Sequence, residues 1–346
     1  MAEATSRSVM VTVTEVVDET ADARSLVLAI PEYARDRWVH RPGQFLTLRV
    51  PSDETGSVAR CYSLASSPHY DAAPKVTVKR TKDGYGSNWL CDNVSAGDVL
   101  EVLPPAGTFT PDDMHGDVAL WAAGSGITPV LSILKSLLAV GTGRIALVYA
   151  NRDERSVIFS GELRDLGDRH PDRLTVLHWL ESVQGLPSHA QLAGHAARLR
   201  DRDHYLCGPA PFMATVQSAL GEVDVPRARI HVEVFASLSG DPFAVRLPVA
   251  ADGDGDGASE LEVDLDGHVH HLRWPRQSTL VEVLLAAGVD VPYSCREGQC
   301  GSCACTVTDG EVAMERADIL QPEDLADGIV LGCQARPVSD CVRVEF

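Results

Sequence analysis

Four cysteines near the C-terminal end constrain this chain more than any other feature: Cys295-x4-Cys300-x2-Cys303, then Cys333 after a further 29 residues. Each iron of a 2Fe-2S cluster takes two terminal sulfur ligands, and three thiolates on one tight loop with a fourth from a distant segment is the plant-type arrangement. Gly298, Gly301 and Ser302 are small, so backbone N–H groups of the loop can turn toward the sulfurs and help set the potential. A tetrahedral zinc site is the competing assignment, but structural zinc sites space paired ligands by about two to four residues and lack such a loop. Cys305, in strand register with Cys303, reads as a buried free thiol, with an exchange of roles between the two as the alternative; Cys341 reads as a strand residue.

A chain of 346 residues exceeds one ordinary core and asks for two or three domains. No apolar run follows Met1, so no secretory signal is expected and the cytoplasm is the default; nine cysteines then point to metal or redox chemistry more than to disulfides. Val118 to Leu134 carries no charge, yet Gly124, Ser125, Gly126, Thr128 and Pro129 interrupt it, which predicts strand, turn and helix rather than a membrane span. A net charge of −19 would repel a phosphate backbone, so nucleic acid is not an expected partner. The charge is uneven: Glu260 to Phe346 holds 16 Asp and Glu against 6 Arg and no Lys, a net of −10.

Residues 1–112 alternate apolar and polar in short runs such as Gln44 to Val50 and Lys75 to Arg80, which predicts an antiparallel β-barrel. Across 113–238, buried strand-like runs (Val118 to Ala123, Ile145 to Tyr149, Leu174 to Leu180, His204 to Cys207, Ile230 to Val234) alternate with helical stretches. This βαβ order predicts a Rossmann-like parallel α/β domain with its ligand at the strand C-termini. Residues 239–258 are expected as a linker because they contain Asp252-Gly-Asp-Gly-Asp-Gly257; a calcium loop is the rival, but the later ligands and terminal Glu are missing. Residues 259–346 supply two strands joined at Asp266-Gly267, a helix from Leu280 to Ala287, and the cysteine loop.

Within this frame, Gly124-Ser-Gly-Ile-Thr-Pro129 follows a buried strand and opens a helix, with Thr128 expected at the N-cap and Pro129 in the first helical position. Ser87-Asn88 is expected to open a short helix from Asn88 to Asp92, giving an anion a helix N-terminus. These stretches, with Arg60-Cys-Tyr-Ser63, Thr77-Val-Lys-Arg80, Gly84-Tyr-Gly-Ser-Asn88, Cys207-Gly-Pro209 and His231-Val-Glu-Val-Phe235, recur at the distances seen in the ferredoxin-NADP reductase superfamily, which the chain resembles.

The resemblance implies an FAD-binding barrel, a nicotinamide domain and a C-terminal β-grasp 2Fe-2S ferredoxin domain. Tyr62 would pack on the isoalloxazine, Ser63 would bond near its N5, and Arg60, with Gly86, Ser87 and Asn88, would hold the pyrophosphate. Lys79 and the backbone of Thr77 and Val78 would hold the pyrimidine edge, their side chains being equally readable as strand faces. Gly124, Gly126, Thr128 and Pro129 would cradle the dinucleotide, while Cys207, Gly208 and Pro209 would lie beside the nicotinamide. Glu233 and Phe235 would close over the flavin, against the alternative of a core Phe. Ser63, Cys207, Glu233 and Phe235 thus form the expected catalytic set, and Cys295, Cys300, Cys303 and Cys333 the cluster ligands. Glu181 stands where relatives specific for NADP place Ser and Arg, which favours NADH, although Arg152 nearby points the other way.

Further matches, at Phe45 to Arg49, Thr55 to Ser63, Tyr149 to Arg152, His178 to Ser182 and Tyr293 to Gly298, are similar to the family of reductase components of 3-ketosteroid 9α-hydroxylases. That resemblance implies a terminal oxygenase with a Rieske centre as electron acceptor; the reductase of a phenylacetyl-CoA epoxidase or an aromatic-ring hydroxylase is the rival within the class. A redox sensor or cluster carrier would not need the nicotinamide turn. A plant-type cluster near about −400 mV can drive electrons to a Rieske centre at about −150 mV or higher. The acidic cluster domain is expected to dock on a basic patch, in a contact that weakens with salt.

Overall fold

The computed structural model describes residues 7–244 and 257–346 apart from Asp266, Asp318 and Gln321, and the side chain of Arg37 is left aside. Asp252 to Asp256 of the acidic run therefore lie outside the described residues.

The first sheet holds β1 (Val9–Thr20), β2 (Ala23–Ala29), β3 (Phe45–Ser52), β4 (Gly56–Ser63), β5 (Lys75–Lys79) and β6 (Val99–Ala106), antiparallel in the order β4-β3-β6-β1-β2-β5. A bridge between Leu64 and Val76 joins its two edges and closes the barrel. The two-residue period shows in β1, where Val9, Val11 and Val13 point inward between exposed neighbours. Helix α1 (Tyr85–Asn93) packs Leu90 and Cys91 against this core.

The second sheet is wholly parallel: β7 (Val118–Ala123), β8 (Ile145–Asn151), β9 (Leu174–Leu180), β10 (Asp203–Cys207) and β11 (Ile230–Glu233), in the order β11-β10-β7-β8-β9. Helices α2 (Ile127–Val140) and α3 (Ser160–Arg169) cover one face, the single turn α4 (Glu181–Gln184) follows β9, and α5 (His189–Leu199) and α6 (Ala210–Glu222) cover the other face. Covered on both sides, β7 is buried at every position, which is why its sequence is an unbroken apolar run. The uncharged stretch from Val118 is strand, 3-10 turn and helix, and among the described residues no helix is long and apolar enough to cross a membrane.

Helix α2 is bonded to the barrel. Ser132 Oγ donates to the Ser66 carbonyl at 2.6 Å, Ser136 and Ser67 hydroxyls meet at 2.7 Å, and the fully buried Lys135 ammonium lies 2.8 Å from both Asp71 and Glu162. Removing one partner of a buried ion pair costs about 3–5 kcal/mol, so this contact fixes the orientation of the parallel sheet on the barrel.

The C-terminal sheet is mixed. It runs β13-β12-β18-β14-β16, built from β12 (Ala258–Leu265), β13 (His268–Pro275), β14 (Ala304–Asp309), β16 (Ile329–Leu331) and β18 (Cys341–Glu345), with β12 and β18 parallel. Helix α7 (Leu280–Ala286), opened by a Thr279–Glu282 capping box, packs across it in the β-grasp manner; β15 (Val312–Met314) and β17 (Ala335–Pro337) pair separately, and α8 (Pro322–Ala326) precedes β16. Leu238 and Phe243 share the core of this unit, and Ser239 N–H donates to Glu297 at 2.8 Å. Residues 239–244, expected as linker, are thus bound to the cysteine loop, because Glu297 captures their N–H groups.

The cysteine loop sits on the barrel. Thr47 and Ser294 hydroxyls meet at 2.8 Å, and Gly107 N–H donates to Ser302 Oγ at 3.0 Å. Ser302 therefore contributes a contact between units, beyond the small size its position suggested.

Candidate active site

Three cavities run from the parallel sheet to the cysteine loop. The middle one, about 300 Å³, lies between barrel and sheet and is lined by Arg60, Tyr62, Ser63, Thr77, Lys79, Gly86 and Ser87, with Thr128 and Phe235 opposite. It is tight where an anion would lie: a Cβ on Gly86 would come 2.7 Å from Arg60 Cγ, so the first turn of α1 fits directly beneath that side chain. Arg60 Nη1 donates to the carbonyls of Ala59 and Leu238, leaving Nε and Nη2 without a protein partner among the described residues. Burial pushes the Tyr62 phenol up, so its ring presents an uncharged face.

Several expected residues sit differently. Helix α1 begins at Tyr85, three residues earlier than expected, which brings Gly86 and Ser87 into its first turn. Asn88 is turned away from the cavity: its Nδ2 donates to Gly84 and Thr81 carbonyls at 2.8 and 3.1 Å, stapling the turn that leads into the helix. The Thr77 hydroxyl is taken by Ser25 at 2.7 Å and Val78 points into the barrel core, so only their backbone is free to face a ligand. Thr128 is no N-cap; the 3-10 turn Gly124–Gly126 runs straight into α2, which starts at Ile127, and Thr128 Oγ1 donates back to the Ser125 carbonyl at 3.0 Å. Pro129 is accordingly the third helical residue and is buried.

The largest cavity, about 540 Å³, opens at the C-terminal ends of the parallel strands, where strand order reverses at β7. Gly124, Asn151, Arg152, Trp179, Glu181 and Pro209 line it. Gly126 permits the approach of the turns after β7 and β10, since a Cβ there would fall 2.0 Å from the Cys207 carbonyl oxygen. Lys79 belongs to both this cavity and the middle one, with Nζ 3.9 Å from Asp22, and its burial pulls the ammonium pKa down. Arg152 is paired with Asp22 at 2.9 Å and lines this cavity together with Glu181.

Asn151 was not singled out by its position in the sequence. It lines this cavity at 8% exposure, with its side-chain amide buried beside the Tyr149 hydroxyl. Only β8's extension to Asn151, beyond the expected end at Tyr149, brings it there.

Cys207 departs most from expectation. Its side chain is fully buried in the core under α2, its thiol pushed well up by burial and then by Glu233, and it lines none of the three cavities. What the Cys207-Gly208-Pro209 turn offers the site is backbone and the Pro209 ring.

The third cavity, about 220 Å³, links the middle one to the cysteine loop: Cys61, Ser63, Glu233 and Phe235 stand on one side, and Thr108, Cys295, Gln299 and Cys300 on the other. Phe235 is 50% exposed, so it is not a core residue. Glu233 is half-buried at the edge of this cavity, and burial raises its carboxyl to about 7.

The four predicted ligand thiols meet in pairs, Cys300 and Cys333 against Cys295, and Cys333 against Cys303. Donation from these neighbouring thiols drives Cys295 and Cys303 toward the thiolate, and the N–H groups of Glu297 and Gln299, each 3.4 Å from Cys295 Sγ, add to it. Two irons with two terminal sulfurs each require pairing of this kind; among the described residues no three ligand groups converge on one point. Gly298 and Gly301 take φ of +73° and +71°, the turns that wrap the loop. Cys305 lies apart in β14, buried, with its thiol pushed up by burial, and Cys341 is an exposed residue of β18. The donor sets and open polar groups fit a flavin nucleotide in the barrel cleft, a dinucleotide at the sheet and a two-iron cluster on the loop.

A cleft between barrel and parallel sheet, joined through one small cavity to a four-thiol loop, is the arrangement of a flavin and iron–sulfur reductase. Family models agree in each part: an oxidoreductase FAD-binding domain over residues 10–110, an oxidoreductase NAD-binding domain over 120–218, and a 2Fe-2S iron-sulfur cluster binding domain over 263–338. The chain is 64% identical, over 99% of its length and 97% of the relative's, to the ferredoxin reductase component of 3-ketosteroid-9-alpha-monooxygenase from Rhodococcus rhodochrous. It is 33% identical, over 97% and 96%, to one of the subunits of 1,2-phenylacetyl-CoA epoxidase from Escherichia coli K12. Among solved structures, phthalate dioxygenase reductase superposes with a TM-score of 0.55 at 25% identity, covering 98% of both chains.

The chain belongs to the family of 3-ketosteroid-9-alpha-monooxygenase ferredoxin reductase components. It is an oxidoreductase carrying FAD, NAD-binding and 2Fe-2S modules, and as the reductase component of a monooxygenase system it serves a terminal oxygenase.

Proposed function

We propose that this protein works in the cytoplasm, draws electrons from NADH, and delivers them singly to a Rieske-type oxygenase that hydroxylates 3-ketosteroids at C9. The observation that carries the electron path is the 220 Å³ cavity lined by Ser63 and Phe235 of the cleft and by Cys295 and Cys300 of the cysteine loop. When bound, FAD accepts a hydride and the 2Fe-2S centre accepts electrons one at a time.

The chain's own residues orient, neutralise and shield. Arg60 and the first turn of α1 hold the flavin pyrophosphate, Tyr62 flanks the ring, and the backbone of Thr77 and Val78 with Lys79 takes its pyrimidine edge. Ser63, 3% exposed, holds a hydroxyl at the junction of two cavities, where it would bond the flavin when bound. Phe235, exposed between the same two cavities, would shield the bound ring from water. Gly124, Gly126 and Pro209 shape the dinucleotide crevice. Asp22 neutralises Arg152 while Glu181 faces the same cavity, a balance unfavourable to a 2′-phosphate. Cys295, Cys300, Cys303 and Cys333 hold the cluster, and nine unpaired cysteines suit a reducing compartment.

The test is reconstitution of the purified chain with NADH, oxygen, a steroid Rieske oxygenase and 4-androstene-3,17-dione. We expect the 9α-hydroxylated product. Dye reduction without that product would overturn the steroid assignment and favour the second reading, an epoxidase acting on an aryl-CoA, to which the relative at 33% identity points.

A further inference from the structure

The segment bearing Cys333 carries a donor that ligand spacing does not indicate. Gln334 is 7% exposed, and its Nε2 lies 3.5 Å from Cys333 Sγ, 3.0 Å from the Cys333 carbonyl oxygen and 3.1 Å from the Arg296 carbonyl oxygen. A side-chain amide has two N–H groups, so one is shared between the carbonyl and the sulfur of Cys333 while the other ties that turn to the residue after Cys295. The loop is shaped around this side chain: a Cβ on Gly298 would come 3.1 Å from Gln334 Cγ. The other sulfur bonds from nitrogen come from backbone, with Glu297 and Gln299 serving Cys295 and the Cys333 N–H serving Cys303 at 3.4 Å. Among the described residues, Cys333 Sγ receives its nitrogen donor from Gln334.

We propose that Gln334 is a positioning residue that raises the reduction potential of the iron–sulfur centre, by donating a hydrogen bond to the Cys333 thiolate and pinning the Cys333 turn to the Arg296 carbonyl. The inference rests on Cys333 being a cluster ligand. The reduced cluster carries one more negative charge than the oxidised one, part of it on the ligand sulfurs, so a fixed N–H dipole stabilises the reduced state more. Burial leaves that dipole unscreened. The amide also joins the two separate segments that hold the cluster, which limits the rearrangement needed on reduction.

Gln334→Leu keeps the volume and removes both donors. In the full chain reconstituted with FAD and iron and sulfide, we expect its cluster midpoint to fall so that the reduced-to-oxidised ratio at a fixed potential drops about tenfold, or about 59 mV for one electron. The flavin midpoint should stay in place, and the low-temperature EPR signal of the reduced cluster should shift. Gln334→Glu, which keeps the length and places an anion by the sulfur, should lower the midpoint at least as far, and it carries the test if the leucine variant fails to take up a cluster. A wild-type midpoint in either cluster-loaded variant overturns the proposal. Cys333→Ser is the control for the underlying reading: an unchanged cluster spectrum there would show that the ligand assignment, and not the role of Gln334, had failed.

Discussion

The nucleotide clefts and the cluster loop solve the problem of holding a redox group by opposite means. The cluster loop spends side chains: four thiols gathered on a tight loop and one strand end, with backbone N–H groups turned in behind them. The clefts are built largely from what side chains leave out. Gly86 lies under Arg60, Gly126 against the Cys207 carbonyl, and Cys207, expected in the catalytic set, contributes no side chain to any of the three cavities. Covalent ligation is tolerant of its surroundings and intolerant of ligand loss; a cleft made by close backbone approach has the reverse sensitivity.

The largest effect should come from breaking the ligand set. Replacing Cys300 with Ala leaves three thiolates for two irons, and we expect loss of the cluster's visible absorption and about a hundredfold or greater loss of electron delivery to a one-electron protein acceptor. NADH-driven reduction of a two-electron dye should remain within about twofold, because the cleft is built on other elements. If dye reduction fell as far as delivery, the two regions would not be separable.

Next is Gly126→Ala, which attacks the cleft through its backbone. The new methyl would fall 2.0 Å from the Cys207 carbonyl oxygen, so the turns after β7 and β10 must part. Overpacking of this kind costs about 1–3 kcal/mol, and kcat/KM for NADH should fall about tenfold or more while the cluster spectrum is retained. Gly194→Ala is the matched control: it lies in α5 with nothing within 4 Å of a new Cβ, and should be neutral or slightly stabilising. Equal losses in the two variants would refute the close-approach account.

The difference between the regions also explains what could be read from the chain. Cluster ligands announce themselves because spacing along the sequence is itself the geometry of a tight loop. The barrel and the parallel sheet were legible from alternation in β1 and the unbroken apolar run of β7. Asn151 and Asp22 were not, because their positions depend on a strand extending two residues and on an ion pair between sequence-distant loops. Thr128 and Asn88 were misplaced for a related reason: a 3-10 turn moved one helix start and a side-chain staple the other, both decided by local hydrogen bonds that propensity does not encode. Residues 239–244 looked like linker because nothing in their composition reveals a partner 58 residues away, the separation of Ser239 and Glu297.

Coenzyme choice tests the cleft at its polar rim, with a smaller effect. Glu181→Arg replaces an acid by a guanidinium on the wall it shares with Arg152. The ratio of kcat/KM for NADPH over NADH should rise about tenfold, equivalent to about 1.4 kcal/mol. An unchanged ratio would remove Glu181 from the coenzyme site and leave the Asp22–Arg152 pair to account for the preference.

The smallest expected effect lies where the two regions meet. Glu233 borders the cavity between Ser63 and Cys300, and burial raises its carboxyl to about 7 from an ordinary 4.5. A carboxyl with a raised pKa in the folded state contributes stability that is fully present below about 4.5 and is lost as pH rises through about 7, where the ionised group must remain half-buried. Glu233→Gln keeps the size and cannot ionise, so the thermal midpoint of the variant relative to wild type should climb by a few degrees between pH 5 and pH 8, on the order of the shift expected for about 1 kcal/mol. A difference that is flat with pH would mean that Glu233 is solvated like a surface carboxylate. The cavity between cleft and cluster would then be filled by water at the point where the two regions join.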